Sequence, residues 1–211
     1  MSDYGTMKNR IANELARTDL TAYIPTAIQS AISHYERKRF FFNEGIDAFS
    51  TVVGQDNYGV SDGIPSDIKS IDLLEATVNS YKYRIEKRTY SYIRELNWGP
   101  NSFRHQPEEW AYYGDKIYIY PYPGQIYTMT ISYLKKLSAL SDDADTNSWM
   151  TEAEELIRQR AKADLEINVI RENQPNIVGN FLSPLEKIAF TSLFGETVDK
   201  VSSGKIRPTG F

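Results

Sequence analysis

Apolar residues recur at helical spacing at the start of the chain. Met7, Ile11 and Leu15 fall four apart, which predicts a one-faced helix. Arg17-Thr18-Asp19 interrupts it. A second helix is predicted with Pro25 near its first turn, where proline is tolerated, and with Ile24, Ala27, Ile28, Ala31, Ile32 and Tyr35 as its apolar stripe. It should run out in the cations Arg37-Lys38-Arg39, and Phe40-Phe41-Phe42 then marks entry into a core.

From about residue 46 the period changes to two. Strands are predicted at 48–53, 68–78, 81–85, 109–113, 116–120 and 126–134, with a short helix at 90–96. Gly114-Asp115 and Pro121 to Gly124 read as tight turns, so 109–134 is expected to be an antiparallel meander. Helical spacing returns at Thr151, where Thr151 and Glu154 match a capping box. Glu155, Arg158, Gln159, Lys162 and Glu166 form the expected wet face of that helix, opposite Ala153, Leu156, Ile157, Ala161 and Ile167. Gln174-Pro175-Asn176 should end or break it. A last helix is expected from Ser183, as N-cap, to Phe194, closed by Gly195. The pattern predicts an α+β fold. Residues 1–45 and 141–196 form a helical bundle, 46–140 an inserted antiparallel β subdomain, and 197–211 an extended, mobile C-terminal tail.

Composition narrows the chemistry. The 211 residues suffice for a sizeable core, and the absence of cysteine removes disulfides, thiolate metal sites and cysteine nucleophiles. No stretch approaches the roughly 20 apolar residues of a membrane span, and the opening MSDYGTMKNR lacks an apolar signal core. Net charge is −4, which argues against non-specific nucleic-acid binding. The charge is unevenly spread. Residues 141–199 carry twelve acidic and five basic side chains, whereas the last twelve carry Lys200, Lys205 and Arg207 and no acid.

Enzyme signals are poor. His34 and His105 are far apart in sequence, and no nucleophile elbow, phosphate-binding glycine loop or His-Glu-x-x-His occurs. Glu44 and Asp47 are the one carboxylate pair that a glycoside hydrolase would invite. Asp143, Asp145, Asn147 and Glu154 fall at positions 1, 3, 5 and 12 of a calcium loop, with Met150 at the eighth. Ser148 stands where that loop needs glycine, and a strand precedes it, so an acidic loop leading into a helix is the expected reading. No metal and no cofactor are expected.

Two features point to contacts with other proteins. Arg160, Asp164 and Asn168 lie four apart along the apolar face of the long helix. They make either a buried intrahelical pair or a polar row that sets the register of a subunit contact. In "DKIYIYPYPGQIYTMTISYLKKL", Tyr118, Tyr120 and Tyr122 share one face, opposite Ile117 and Ile119, and Tyr127 and Tyr133 continue the pattern. Base stacking would need interleaved cations, and Lys116, Lys135 and Lys136 stand only at the ends. The expectation is a sheet with one face on its own core and one half-wet face for neighbours.

Four segments in order carry a resemblance: AIQSAISHYERKRFFFNE (27–44), GIPSDIKSID (63–72), GDKIYIYPYPGQIYTMTISY (114–133) and LSDDADTNSWMTEAEELIRQRAKADL (140–165). With them the chain resembles the adaptor, or head-to-tail connector, proteins of tailed bacteriophages, above all the short-tailed type. The resemblance implies a non-enzymatic protein of the virion, assembled in the host cytoplasm. It would form a homo-oligomeric ring, a dodecamer, beneath the portal protein and receive a tail or nozzle protein. Membrane and sequence-specific nucleic-acid partners are not implied, and no catalytic residues carry over. The alternatives are another tail-ring protein, or a phage cell-wall hydrolase through Glu44 and Asp47. Lys200, Lys205, Ile206, Arg207 and Phe211 are the candidate docking residues of the tail. Their acceptor is a portal groove or the acidic 141–199 region of a neighbouring subunit.

Overall fold

The computed structural model describes residues 2–98, 103–170 and 183–200. In chain order the elements are α1 (Tyr4–Leu15), α2 (Ile24–Tyr35), β1 (Glu44–Ser50), β2 (Asn57–Tyr58), β3 (Ile68–Val78), β4 (Tyr81–Arg84) and β5 (Glu86–Lys87). There follow α3 (Tyr90–Leu96), β6 (Arg104–His105), β7 (Glu109–Tyr113), β8 (Lys116–Tyr120), β9 (Tyr122–Pro123) and β10 (Thr128–Lys135). The chain then returns to helix with α4 (Ser148–Thr151), α5 (Glu154–Leu165), a π turn over Glu166–Ile170, and α6 (Pro184–Lys200). The architecture is α+β. The chain divides into a helical unit, 1–42 with 137–211, and a β unit, 43–136.

The helical unit has its own core. Met7 and Ile11 of α1, Ile24, Ala27, Ile28, Ala31 and Tyr35 of α2, and Leu156, Ile157, Ala161 and Leu165 of α5 are buried together with Phe40 and Trp149. Asp3 caps α1, its carboxylate accepting the Thr6 N–H at 2.7 Å. α2 ends at Tyr35, before the cationic run expected to close it, and Phe40 and Phe42 both pack edge-on against Trp149.

Two expected boundaries in this unit differ. The Thr151–Glu154 capping box does not form. Asn147 caps α4 instead, accepting the Trp149 N–H at 2.9 Å, and α5 starts afresh at Glu154 without a side-chain cap. Nor does Gly195 close α6, which continues to Lys200. Thr197 is buried and its hydroxyl donates to the Leu193 carbonyl at 2.9 Å, while the Lys200 ammonium lies 3.7 Å from the Phe41 ring centroid. Contacts from Thr197 and Lys200, both beyond Gly195, to Phe41 hold the helical conformation past it. Residues 197–200 are therefore helix, and Lys200 is not part of an extended tail. The breaker at 174–176, the loop at 99–102 and the tail residues Lys205, Ile206, Arg207 and Phe211 lie outside the described residues.

In the β unit one sheet runs β1-β10-β3-β4, all antiparallel, and a second runs β2-β8-β7-β5, with β5 and β7 parallel. β6 and β9 make a short parallel pair. The two larger sheets share one core, including Phe49, Leu74, Trp110, Ile117, Ile119, Met129 and Ile131. β7 and β8 form the expected hairpin, with Gly114 and Asp115 both at φ 57°, as a two-residue type I′ turn requires. The meander stops there. β8 and β10 belong to different sheets, and β10 lies between β1 and β3. The Pro121–Gly124 segment is thus a crossover between sheets rather than a hairpin turn. Tyr127 and Tyr133 consequently share a buried face with Met129 and Ile131, while Tyr118 and Tyr120 are half-buried opposite Ile117 and Ile119.

Candidate functional site

The polar row on α5 is divided by the packing. Arg160 does not pair with Asp164. Its guanidinium reaches Glu186 of α6, Nη1 to Oε1 at 3.5 Å. Asp164 instead accepts from the Asn168 amide at 2.8 Å, one turn further on and in solvent. The structure thus brings Asp164 and Asn168 together and draws Arg160 inward.

Glu186 is the centre of the inward cluster. Its side chain has 0 % exposure, against 25 % for Arg160. The Tyr35 hydroxyl donates to Oε1 at 2.5 Å, and the Ser183 N–H donates to Oε2 at 3.3 Å. The Ser183 hydroxyl accepts the Glu186 N–H at 3.1 Å, which completes a capping box at the start of α6. The spacing Ser183-Pro184-Leu185-Glu186 carries that signal in the sequence, beyond the N-cap expected at Ser183. Burial and the bond to Glu186 push the Tyr35 phenol above its ordinary range. Burial, and then the Arg160 charge, hold the His34 imidazole below its ordinary value, against the opposing pull of Glu186.

The four side chains of the calcium-like spacing are committed to protein groups. Asp145 Oδ2 accepts from the Ser141 N–H (2.7 Å), the Ser141 hydroxyl (3.1 Å) and the Asp142 N–H (2.8 Å), which lowers its pKa. Asp143 pairs with Lys8, Asn147 caps α4, and Glu154 pairs with Arg10 at 3.0 Å and Arg158 at 3.2 Å. The loop's backbone has its own task. The Tyr4 and Gly5 N–H groups, two orphan donors of α1's first turn, donate to the Asp145 and Asp143 carbonyls, each at 2.9 Å. Among the described residues no three His, Cys, Asp or Glu side chains are grouped to hold a metal ion.

The expected wet face of α5 is also occupied. Arg158 and Lys162 both reach Glu14 of α1, Lys162 at 2.7 Å, and Gln159 is buried. Lys162 and Arg158 in turn lower the Glu14 pKa against the effect of burial. Glu44 and Asp47 both lie on β1, three residues apart, so their side chains leave opposite faces of the strand. That separates the pair on which a hydrolase reading rested. In the β unit Tyr90 stacks on Tyr113 with centroids 4.3 Å apart and meets Tyr118 edge-on at 4.8 Å. Tyr81, Trp98 and Tyr113 remain exposed.

What this arrangement offers is helices tied together by ion pairs, a buried carboxylate with its donors, and wet aromatic surface. The family model described as SU10 adaptor protein matches residues 2–164, from just before the N-cap of α1 into the last turn of α5. The chain belongs to the SU10 adaptor protein family. No curated protein matches it. Membership places it among the structural proteins of phage virions that associate with other virion proteins, rather than in an enzyme family. The match takes in the hairpin, the acidic loop and α5, and α6 lies beyond it. No helix among the described residues is long and apolar enough to cross a membrane.

Proposed function

We propose that this SU10-type adaptor forms a homo-oligomeric ring, a dodecamer, under the portal protein and connects it to a tail or nozzle protein, without catalysing a reaction. The family match over residues 2–164 is the observation that carries this reading. Two features of the structure support it. Tyr81, Trp98 and Tyr113 present amphipathic rings to solvent, the side-chain type enriched at protein interfaces. Asp164 and Asn168 form a solvated polar pair next to the Arg160–Glu186 contact, available to set register against a neighbouring subunit. The test is sedimentation velocity of the purified protein alone and with its portal protein. A ring-sized species, formed on the portal or before it, is the expected result. A monomer at every concentration with portal present would overturn the proposal. Asp164→Arg should reduce assembly while leaving the monomer's Tm within a few degrees of the parent.

A further inference from the structure

The sheet β1-β10-β3-β4 has two open margins. Among the described residues β1 pairs only with β10, and β4 only with β3. The ladder shows which backbone groups face outward. Thr51, just beyond β1, donates its N–H to the Tyr127 carbonyl at 2.9 Å, and Ile85, just beyond β4, donates to the Leu74 carbonyl at 2.9 Å. Odd-numbered residues of both strands thus turn their backbone groups into the sheet, and Ile46, Ala48, Lys82 and Arg84 turn theirs outward. The Asp47 carboxylate accepts the Ala48 N–H at 2.8 Å, a local cover that keeps an open edge from pairing indiscriminately.

We propose that the β1 edge of one subunit pairs with the β4 edge of a second copy of the chain, so that the sheet runs on from subunit to subunit. This pairing presupposes the ring assembly proposed above and supplies one of its subunit contacts. The four strands alternate in direction, so β4 runs opposite to β1. A copy placed to continue the sheet therefore meets β4 with an antiparallel strand, the better-bonded arrangement. The faces agree as well. Ala48, Thr130, Glu75 and Arg84 form one row across the sheet, so the outward-facing residues of both edges carry their side chains on the same side, and the pleat continues without a slip. Charge selects unlike edges. β1 holds Glu44 and Asp47 and no base, whereas β4 holds Lys82 and Arg84 and no acid. Neither Lys82 nor Arg84 forms an ion pair with another described residue. Pairing β1 with β1, or β4 with β4, would set like charges side by side. Each margin also leaves a large side chain bare: Ile46 on β1 is 77 % exposed and Tyr81 on β4 71 %. The contact is head-to-tail, and in a closed ring it leaves neither edge open.

The chain has no cysteine, so single substitutions report the contact directly. Full chains carrying Lys82→Cys are mixed, with the portal protein present, with full chains carrying Ile46→Cys or Ala48→Cys, and then oxidised. Opposed Cα atoms of an antiparallel pair lie about 5.5 Å apart, within disulfide range. The expected product is a disulfide joining the two kinds of chain for at least one of the β1 positions. None should form when Thr130→Cys, opposite Ala48 but one strand further in, takes their place. Cross-linked pairs of one kind of chain in place of the mixed product would mean like-edge pairing and overturn the proposal. Ala48→Pro is the second arm, because it removes an outward donor that the β10 ladder does not use. Its Tm should stay within a few degrees of the parent's, while ring formation on the portal, read by sedimentation velocity, falls severalfold. Parent rings without a mixed cross-link, or rings formed by Ala48→Pro as readily as by the parent, would overturn the edge pairing and leave the ring standing. Monomers under every condition would remove the ring itself, and the pairing with it.

Discussion

Glu186 has no exposed surface, and donors from two helices converge on it: Tyr35, the Ser183 N–H and the Arg160 guanidinium. The three side-chain deletions should therefore rank by burial and charge. Glu186→Ala strands the partners of a buried ion and should cost about 3–5 kcal/mol. Tyr35→Phe removes one hydrogen bond to a charged group and should cost about 1.5–3 kcal/mol. Arg160→Ala should cost only about 1 kcal/mol, because its long, quarter-exposed contact resembles a surface pair. Urea unfolding of the three variants checks the order, and an Arg160→Ala loss larger than that of Glu186→Ala would count against this account of the cluster. His34 adds a pH dependence. Its folded pKa lies below its unfolded value of about 6.5, so the folded state favours the neutral ring. The unfolded chain then binds more protons than the folded one just below 6.5, and stability must fall as pH drops through that window. The depressed carboxylates Glu14 and Asp62 act in the same direction, but in the acid range below about 4. The part of the loss between pH 6.5 and 5 should shrink in His34→Gln, read as Tm against pH.

Among the elements, the loop before α4 shows how a segment with metal-like spacing is used. Its carbonyls close the first turn of α1, and that requires close approach at Gly5. A Cβ built there would stand 2.9 Å from the Asp143 Cβ and 3.1 Å from the Asp143 carbonyl oxygen. Gly5→Ala should therefore destabilise by about 1–3 kcal/mol, although alanine is the better helix former in isolation. Chemical denaturation that shows Gly5→Ala neutral or stabilising would mean that the loop moves aside freely. The sequence made the faces of most elements legible, because burial repeats at the helix or strand period. Met7 with Ile11, the stripe of α2, and Ile117 with Ile119 all point where their spacing places them. Partners were not legible. The period of Met129 and Ile131 identifies a buried face, but nothing local distinguishes pairing with β8 from insertion between β1 and β3. Likewise a helical wheel counts Arg158 and Lys162 as wet, because Glu14 lies more than a hundred residues away in sequence. Gly195 reads as a stop on local grounds, whereas the anchors that override it are tertiary: the Phe41 N–H donates to the Thr197 hydroxyl and the Lys200 ammonium lies over the Phe41 ring. For the candidate site, the row Arg160, Asp164 and Asn168 was visible as a polar interruption, whereas its division between Glu186 and solvent depends on α6.

For the whole molecule, the chain's path favours two units that fold separately. The β unit begins and ends on neighbouring strands, with Glu44 of β1 opposite Leu134 of β10, and the two stay paired to Ser50 and Thr128. Adjacent strands lie about 5 Å apart, so the unit's two ends are close together. Each unit also encloses its own apolar cluster. Residues 43–136 expressed alone should then give a cooperative thermal transition and a dispersed amide spectrum, with a stability of roughly 5–10 kcal/mol expected for a domain of that size. The reciprocal chain, with 43–136 replaced by a four-residue Gly-Ser linker between Phe42 and Leu137, closes only a short gap, and loop-closure entropy changes slowly with length. It should keep a helical far-UV spectrum and melt cooperatively. If both pieces fold, the β unit is an insertion that can be exchanged without disturbing the helices, and the interfaces of each unit can be assigned by assembly assays on the separate pieces. If either piece folds only when the other is added, the two clusters form one cooperative unit, and a substitution in the core of one will change assembly through the other.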